Sequence, residues 1–263
     1  MLTRRSIAAL FTLFAASANL HASPRLAPLH NFCTIGVSEN GAGFRVRVGD
    51  SPCPGYTHCD GSIFDHDRLS GFTGITLADL GRDGARLTAT YTAEAGTFTC
   101  TGDVHDAELQ GEAVFNPDLG FVDRMEKMGF SGYYAEKLMA CAFIGVDTNW
   151  VRAMQQTGIR GLNSDNIIAL RIFKADPEYI HQLTSMGYGI PTADQLVGLK
   201  VQGVNPEEVR EIRSLGYQPT LDELVQIRIF KITPEFIRRM QARGFRNLTI
   251  AKLVQIRIFN LAD

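Results

Sequence analysis

The stretch TPEFIRRMQARGFRNLTIAKLVQIRIF, residues 233–259, is one copy of a unit that occurs five times from residue 118 onward. Its glycine, Gly244, is matched by Gly129, Gly158, Gly187 and Gly216, giving spacings of 29, 29, 29 and 28 residues. A large apolar residue follows each of them: Phe130, Ile159, Tyr188, Tyr217 and Phe245. A sustained period of this length predicts a solenoid, in which each unit buries its apolar face against its neighbours. Such an array offers an extended surface, which favours binding over a catalytic pocket.

Within the unit, two helices are expected. Eleven residues before each glycine stand Asp118, Asp147, Asp176, Asn205 and Thr233, all acceptors suited to the free N–H groups that open a helix. Pro177-Glu178, Pro206-Glu207 and Pro234-Glu235 follow in three units, and proline with an early carboxylate suits the first turn. Val122, Val151, Ile180, Val209 and Ile237 precede Met125, Met154, Leu183, Ile212 and Met240 by three residues, which makes one apolar stripe. The marker glycine then stops the helix by turning left-handed. A second helix has its caps at Asn163, Thr192, Thr220 and Thr249, with Tyr134 the poor member, and its bodies at 138–146, 167–175, 196–204, 224–232 and 253–261.

Five slots of this second helix, the first, second, fourth, sixth and ninth, are apolar and span an arc of roughly 200°. The fifth slot lies near the centre of that arc and holds Ala142, Arg171, Lys200, Arg228 and Arg257. A base facing inward needs a partner, because an unpaired buried charge is costly. Seven residues on stand Asn149, Glu178, Glu207 and Glu235, a carboxylate wherever a base precedes it. The pattern predicts a structural ladder of ion pairs, Arg171–Glu178, Lys200–Glu207 and Arg228–Glu235, each joining one unit to the next. The alternative is a basic groove for an anionic ligand. Arg257 has no counterpart seven residues on, so Arg257, Ile256 and Phe259 are candidate partner-binding residues. Self-association through this last repeat is a second use for the same face.

Outward from the repeats, residues 23–116 read as a small β domain. Short β-rich runs at 32–37, 44–48, 85–92, 97–101 and 112–115 are separated by Gly, Asp, Asn and Pro clusters. The half before the repeats holds 6 Lys+Arg against 12 Asp+Glu, and residues 117–263 hold 18 against 16, a step that marks a boundary near Asn116-Pro117. Neither half carries the basic excess that phosphate-backbone binding needs, so nucleic acid is not an expected partner. Cys33, Cys53, Cys59 and Cys100 fall in the β domain and allow three pairings; Cys53–Cys59 with Cys33–Cys100 is the preferred one. The rival use of Cys53, His58, Cys59 and His66 as a metal site matches no standard zinc spacing, so no metal is expected. Cys141 occupies a slot filled by Leu170, Leu199, Ile227 and Ile256, and reads as a buried core thiol.

Residues 1–22 read as a secretory signal: Arg4 and Arg5, an apolar run from Ile7 to Leu20, then small residues. The run is shorter than the ~20 residues a spanning helix needs, so the chain is expected to be exported to the periplasm or beyond rather than to span a membrane. Without this segment the formal net charge of −2 becomes −4, because Arg4 and Arg5 leave with it.

The unit at 233–259 resembles a repeat of certain bacterial envelope proteins: tails attached to sensor metallopeptidases of the β-lactam-response type, and exported proteins of uncharacterised activity. The resemblance covers roughly residues 95–263, since Ala95-Gly96-Thr97-Phe98 leading to Phe115 resembles the stretch that precedes such repeats. It implies architecture, not activity, because the sensors' His-Glu-x-x-His motif is missing from this sequence. What the resemblance adds on function is a role as a regulator or inhibitor in envelope stress or antibiotic sensing.

No phosphate loop, Gly-x-Ser-x-Gly elbow or Cys–His pair occurs, and no cofactor is implied. His105-Asp106 near Asp103, Glu108 and Glu112 is the one acid–base cluster that suits a hydrolase, though such a charged hairpin is more simply a solvated face. His181 reads as an exposed polar position, and Trp150 shares its slot with Phe121, Tyr179 and Phe236, which points to packing. The fold expected is therefore α+β: a small disulfide-bonded β domain followed by an α-solenoid of five ~29-residue helix-hairpin repeats. The function expected is non-enzymatic protein binding or scaffolding, with another envelope protein or peptide as partner.

Overall fold

The computed structural model describes residues 26–38, 43–51, 62–66, 71–245 and 247–259. The expected signal segment, and Cys53, His58 and Cys59, lie outside the described residues. The chain is mixed α+β, with seven strands followed by ten α-helices among the described residues.

The strands are β1 (Leu29–Val37), β2 (Phe44–Gly49), β3 (Ser62–His66), β4 (Phe72–Thr73), β5 (Arg86–Ala93), β6 (Gly96–His105) and β7 (Glu108–Pro117). They form one antiparallel sheet in the order β3-β2-β1-β7-β6-β5-β4, so the first strand pairs with the last. The two edges, β3 and β4, are consecutive in the chain. His66 and Phe72 are six residues apart and can be separated by at most roughly 21 Å. A flat seven-stranded sheet would put its edges about 29 Å apart. The sheet must therefore curl.

The curl is visible across β7. Cys33 on β1 and Cys100 on β6 lie on either side of that strand, opposite Gly111 and Ala113, and are joined by the expected disulfide. Their Cα atoms are 6.0 Å apart, whereas strands two apart in a flat sheet are separated by roughly 9.5 Å. Small residues permit this. Gly102 pairs with Gly111, and a Cβ on Gly102 would sit 1.9 Å from the Gln110 carbonyl oxygen. The Cys33–Cys100 cross-link thus ties two strands that the pleat alone would hold apart.

Five helix pairs follow. The first members are α1 (Leu119–Lys127), α3 (Thr148–Gln156), α5 (Pro177–Ser185), α7 (Pro206–Ser214) and α9 (Pro234–Ala242). The second members are α2 (Ala135–Ile144), α4 (Asn166–Ile172), α6 (Ala193–Val201), α8 (Leu221–Ile229) and α10 (Ile250–Ile258). Local chemistry sets their ends. Asp118, Asp147, Asn205 and Thr233 accept from backbone N–H groups of the first turn, and Thr192 and Thr220 form capping boxes with Gln195 and Glu223. Tyr134 makes no side-chain cap, and Asn163 accepts from the N–H groups of Asp165 and Asn166. Asp176 departs from the pattern because its carboxylate is taken by the Trp150 indole N–H, at 3.1 Å. All five marker glycines have φ between +77° and +91°, which stops the first helix of each pair.

Like helices meet like. α2, α4, α6, α8 and α10 contact one another in sequence, as do α5, α7 and α9, and α1 meets α3. The first pair is also docked on the sheet: α2 contacts β3, β5, β6 and β7. Phe143 of α2 stacks on Tyr91 at 5.4 Å and meets Phe98 edge-on at 5.0 Å. The hydrophobic core accordingly does not break at 116/117. One cluster joins the sheet to α1 and α2, and a second runs through the later pairs, with Trp150 and Leu162 packed against both. Glu94, in the β5–β6 turn, adds a polar tie between sheet and helices. It accepts from the Thr148 N–H and hydroxyl at 2.8 and 2.7 Å and from Arg124 Nε at 3.1 Å. No described helix is long and apolar enough to cross a membrane.

Candidate functional site

Arg171, Lys200, Arg228 and Arg257 occupy equivalent places on α4, α6, α8 and α10, but they do not form the ladder expected from the sequence. Each faces the third residue of the other helix in its own pair. Arg171 lies over the Trp150 ring at 5.2 Å, Lys200 over Tyr179 at 4.6 Å and Arg257 over Phe236 at 4.1 Å. In the fourth pair the equivalent residue is Glu208, and Arg228 reaches it at 2.6 Å.

The arginines have a second anchor. Arg171 Nε donates to the Gly145 carbonyl at 2.9 Å, Arg228 Nε to Gln202 at 3.2 Å and Arg257 Nη2 to Lys231 at 3.1 Å. These carbonyls end the second helix of the preceding pair, where free acceptors and the negative dipole end favour a cation. The bases therefore do link units, but backward through the backbone rather than forward through glutamates. Of the forward carboxylates only Asp176 is met, by Arg171 at 3.6 Å.

The expected partners are otherwise engaged. Glu178 accepts from Gln182, Glu207 pairs with Arg210, and Glu235 lies near Arg238. Hydrogen bonds from its own backbone and from Thr233 hold the Glu235 carboxyl below its usual range. Carboxylates recur at this position because it is the first turn of a helix, which favours a negative charge whatever precedes it. Sequence spacing alone does not separate that cause from ion pairing.

Of the C-terminal candidates, Arg257 is held by Phe236 and Lys231, and Ile256 packs against the second core cluster. Phe259, 66% exposed, presents most of its surface. A more regular feature was missed. The sixth slot of the second helix, expected to face inward, holds Ile172, Val201, Ile229 and Ile258, which are 53, 47, 51 and 54% exposed. In the first pair the same slot is Phe143, 4% exposed beneath the sheet. The signal was present in the width of the apolar arc: slots one and four are buried between neighbours, and slot six lies at the opposite margin, beyond their reach.

The first helices of the pairs show a different irregularity. Gln155, Arg213 and Gln241 each donate to the carbonyl that ends the preceding first helix, at Met128, Met186 and Leu215. Thr184 stands in the same slot but is too short, and its hydroxyl bonds its own His181 carbonyl. Where this tether is missing, a cleft of ≈ 460 Å³ opens beside α5, lined by Gln156, Glu178, Ile180, His181 and Ile190. Burial pushes the Tyr179 phenol up to about 12, and its hydroxyl donates to the Val204 carbonyl at 2.8 Å.

In the sheet, Asp103 and His105 line one shallow cleft of ≈ 300 Å³ with Phe32, Gln110 and Glu112. Asp106 is not among its lining residues and sits in the β6–β7 turn with φ +51°. Asp103, half-exposed, is paired with Arg86 at 3.3 Å, and His105 lies 3.7 Å from Asp83, both exposed. Among the described residues no cluster of His, Cys, Asp or Glu is arranged to hold a metal. Cys141 is buried, and its thiol is pushed up to about 12 by burial. Comparison with known protein families, curated proteins and solved structures finds no match for the chain.

Proposed function

We propose that this chain is an exported, non-enzymatic binding or scaffold protein that acts through its helical repeats, stacked as an α-solenoid. The observation that carries this reading is the recurrence of the same tethers at three of the four junctions between pairs, arginine to the preceding helix end on one side and glutamine or arginine to the preceding cap on the other, while the second and third pairs are joined instead by the Trp150–Asp176 hydrogen bond. Tethers of this kind tie a pair to the one before it, which favours the extended surface that a binding array uses. Export to the periplasm or beyond is supported by the Cys33–Cys100 disulfide, which suits an oxidising compartment, and by the signal-like composition of residues 1–22. The partner is another envelope protein or peptide.

The hydrolase alternative rests on Asp103 and His105 in the sheet cleft. Asp103 is half-exposed and paired with Arg86, and the exposed His105 lies beside the Asp83 carboxylate, an arrangement typical of a solvated rim.

Site-specific photo-crosslinking in envelope extract tests the proposal, with the probe at position 181 or 229 on the helices and at 110 on the sheet. Capture of a defined protein from a helical position supports it. Crosslinks from position 110 alone, or none from any position, overturn it.

A further inference from the structure

The exposed row Ile172, Val201, Ile229 and Ile258 runs across α4, α6, α8 and α10, one aliphatic residue per helix. At its start, in α2, the same row is already an interface: Phe143 is covered by Tyr91 and Phe98 of the sheet. The later helices continue a surface that the chain itself uses for packing, and nothing among the described residues covers them. Beside the row, between α6 and α8, lies a groove of ≈ 310 Å³ lined by Asp194, Gly198, Leu199, Leu221, Asp222 and Val225. Its two carboxylates are exposed and make no ion pair among the described residues. Gly198 leaves the groove open, since a Cβ there would meet nothing within 4 Å.

Resting on the binding role argued above, we infer that this face docks an extended, cationic peptide segment with an aliphatic residue at every third position. The spacing follows from geometry. Packed helices lie on the order of 8–10 Å apart, so the aliphatic side chains of the row recur at that interval. A polyproline II chain rises about 3.1 Å per residue with three residues per turn, so every third side chain returns to one face after roughly 9 Å. Its second edge then carries the bases toward Asp194 and Asp222, on the side of the helix N-termini. The opposite side, where Lys174 and Lys231 follow the ends of α4 and α8 in left-handed turns, is left for the uncharged edge. A row one residue wide fits a single extended chain better than a sheet, and its acidic margin opposes an anionic lipid surface.

The test uses the intact mature chain and a labelled peptide of four Ile-Pro-Lys repeats, read by fluorescence anisotropy. Controls replace Lys by Glu, or Ile by Ser. Saturable binding of the Ile-Pro-Lys peptide is expected, with neither control binding. Val201→Ser with Ile229→Ser should weaken it by about tenfold or more, through lost aliphatic contact. Asp194→Asn with Asp222→Asn should weaken it and flatten its salt dependence. Unchanged circular dichroism and melting temperature show that these surface variants still fold. Equal binding by the Glu peptide, or no effect of the Val201/Ile229 pair, overturns the inference. So does a dimer in sedimentation that the Val201/Ile229 pair dissociates, or binding to anionic vesicles with no peptide binding. Crosslinking from position 181 with silence at 229 would remove this docking face and leave the binding role standing.

Discussion

Replacing Glu94 should weaken the junction of sheet and helices, because one carboxylate joins three elements. It accepts from the Thr148 backbone N–H and hydroxyl at the start of α3, and from Arg124 of α1. In Glu94→Ala these three donors lose a charged acceptor in a half-buried site. A hydrogen bond to a charged group is worth about 1.5–3 kcal/mol, and the donors here regain part of that from water. A net loss of about 2–3 kcal/mol at pH 7 is expected, with Glu94→Gln losing roughly half as much because it keeps an acceptor oxygen. The pH dependence gives a sharper test. Burial raises the Glu94 pKa, but the hydrogen bonds from Thr148 and the Arg124 charge outweigh it and leave the carboxyl below its ordinary 4.5. A lowered folded pKa means that the stabilisation is fully present above the unfolded value and is lost as pH falls through the folded one. Urea unfolding of wild type and Glu94→Gln should therefore differ at pH 6–7 and converge toward pH 3. An equal difference at both pH values, or a Glu94→Ala loss under about 0.5 kcal/mol at pH 7, would refute the reasoning.

Four further outcomes follow from named contacts. Arg228→Glu should destabilise by about 1 kcal/mol and be partly rescued by Glu208→Arg but not by Glu235→Arg, as read by thermal melting, since Glu208 is the residue Arg228 meets. Thr184→Gln should reach the Thr157 carbonyl as its counterparts reach theirs, adding about 0.5–1 kcal/mol and narrowing the cleft beside α5; a crystal structure that leaves the cleft unchanged counts against the tether. Lys231→Gly should raise stability by about 1 kcal/mol, because Lys231 holds φ +52° where the third pair has Gly203; no gain in urea midpoint would show that the lysine relaxes elsewhere. Cys100→Ala opens a loop of sequence separation 67. It should cost about 4 kcal/mol in chemical denaturation, and a loss below about 1 kcal/mol would mean that the curled sheet holds itself.

The helix starts and the glycine stops were legible in the sequence because they are local, whereas the second helices end at Ile144, Ile172, Val201, Ile229 and Ile258, two or three residues short of the expected bodies. Cap residues, first-turn prolines and left-handed glycines act within four or five positions of themselves, so Thr192, Thr220 and the five marker glycines behave as their chemistry requires. Asp176 is the informative exception, since a side chain from 26 residues away, Trp150, claims its carboxylate. The bases at 171, 200, 228 and 257 do take partners, as their place in the apolar arc predicts, but those partners are not the glutamates seven residues on. Two causes place a carboxylate after a helix start, and composition cannot tell them apart.

By itself the sequence determined the period, most of the caps that open the helices, the glycines that stop the first helix of each pair, and the burial of Cys141. Each of these rests on short-range backbone chemistry, or on apolar character that any compact fold must bury. Only the tertiary structure decided how far the sheet curls, which acceptor each base takes, that the first helix pair belongs to the sheet's core, and that the sixth-slot row faces out. Those outcomes depend on the direction from which a neighbour approaches. A 200° apolar arc states that a helix has more apolar surface than one partner can cover; it does not state which margin is left in water.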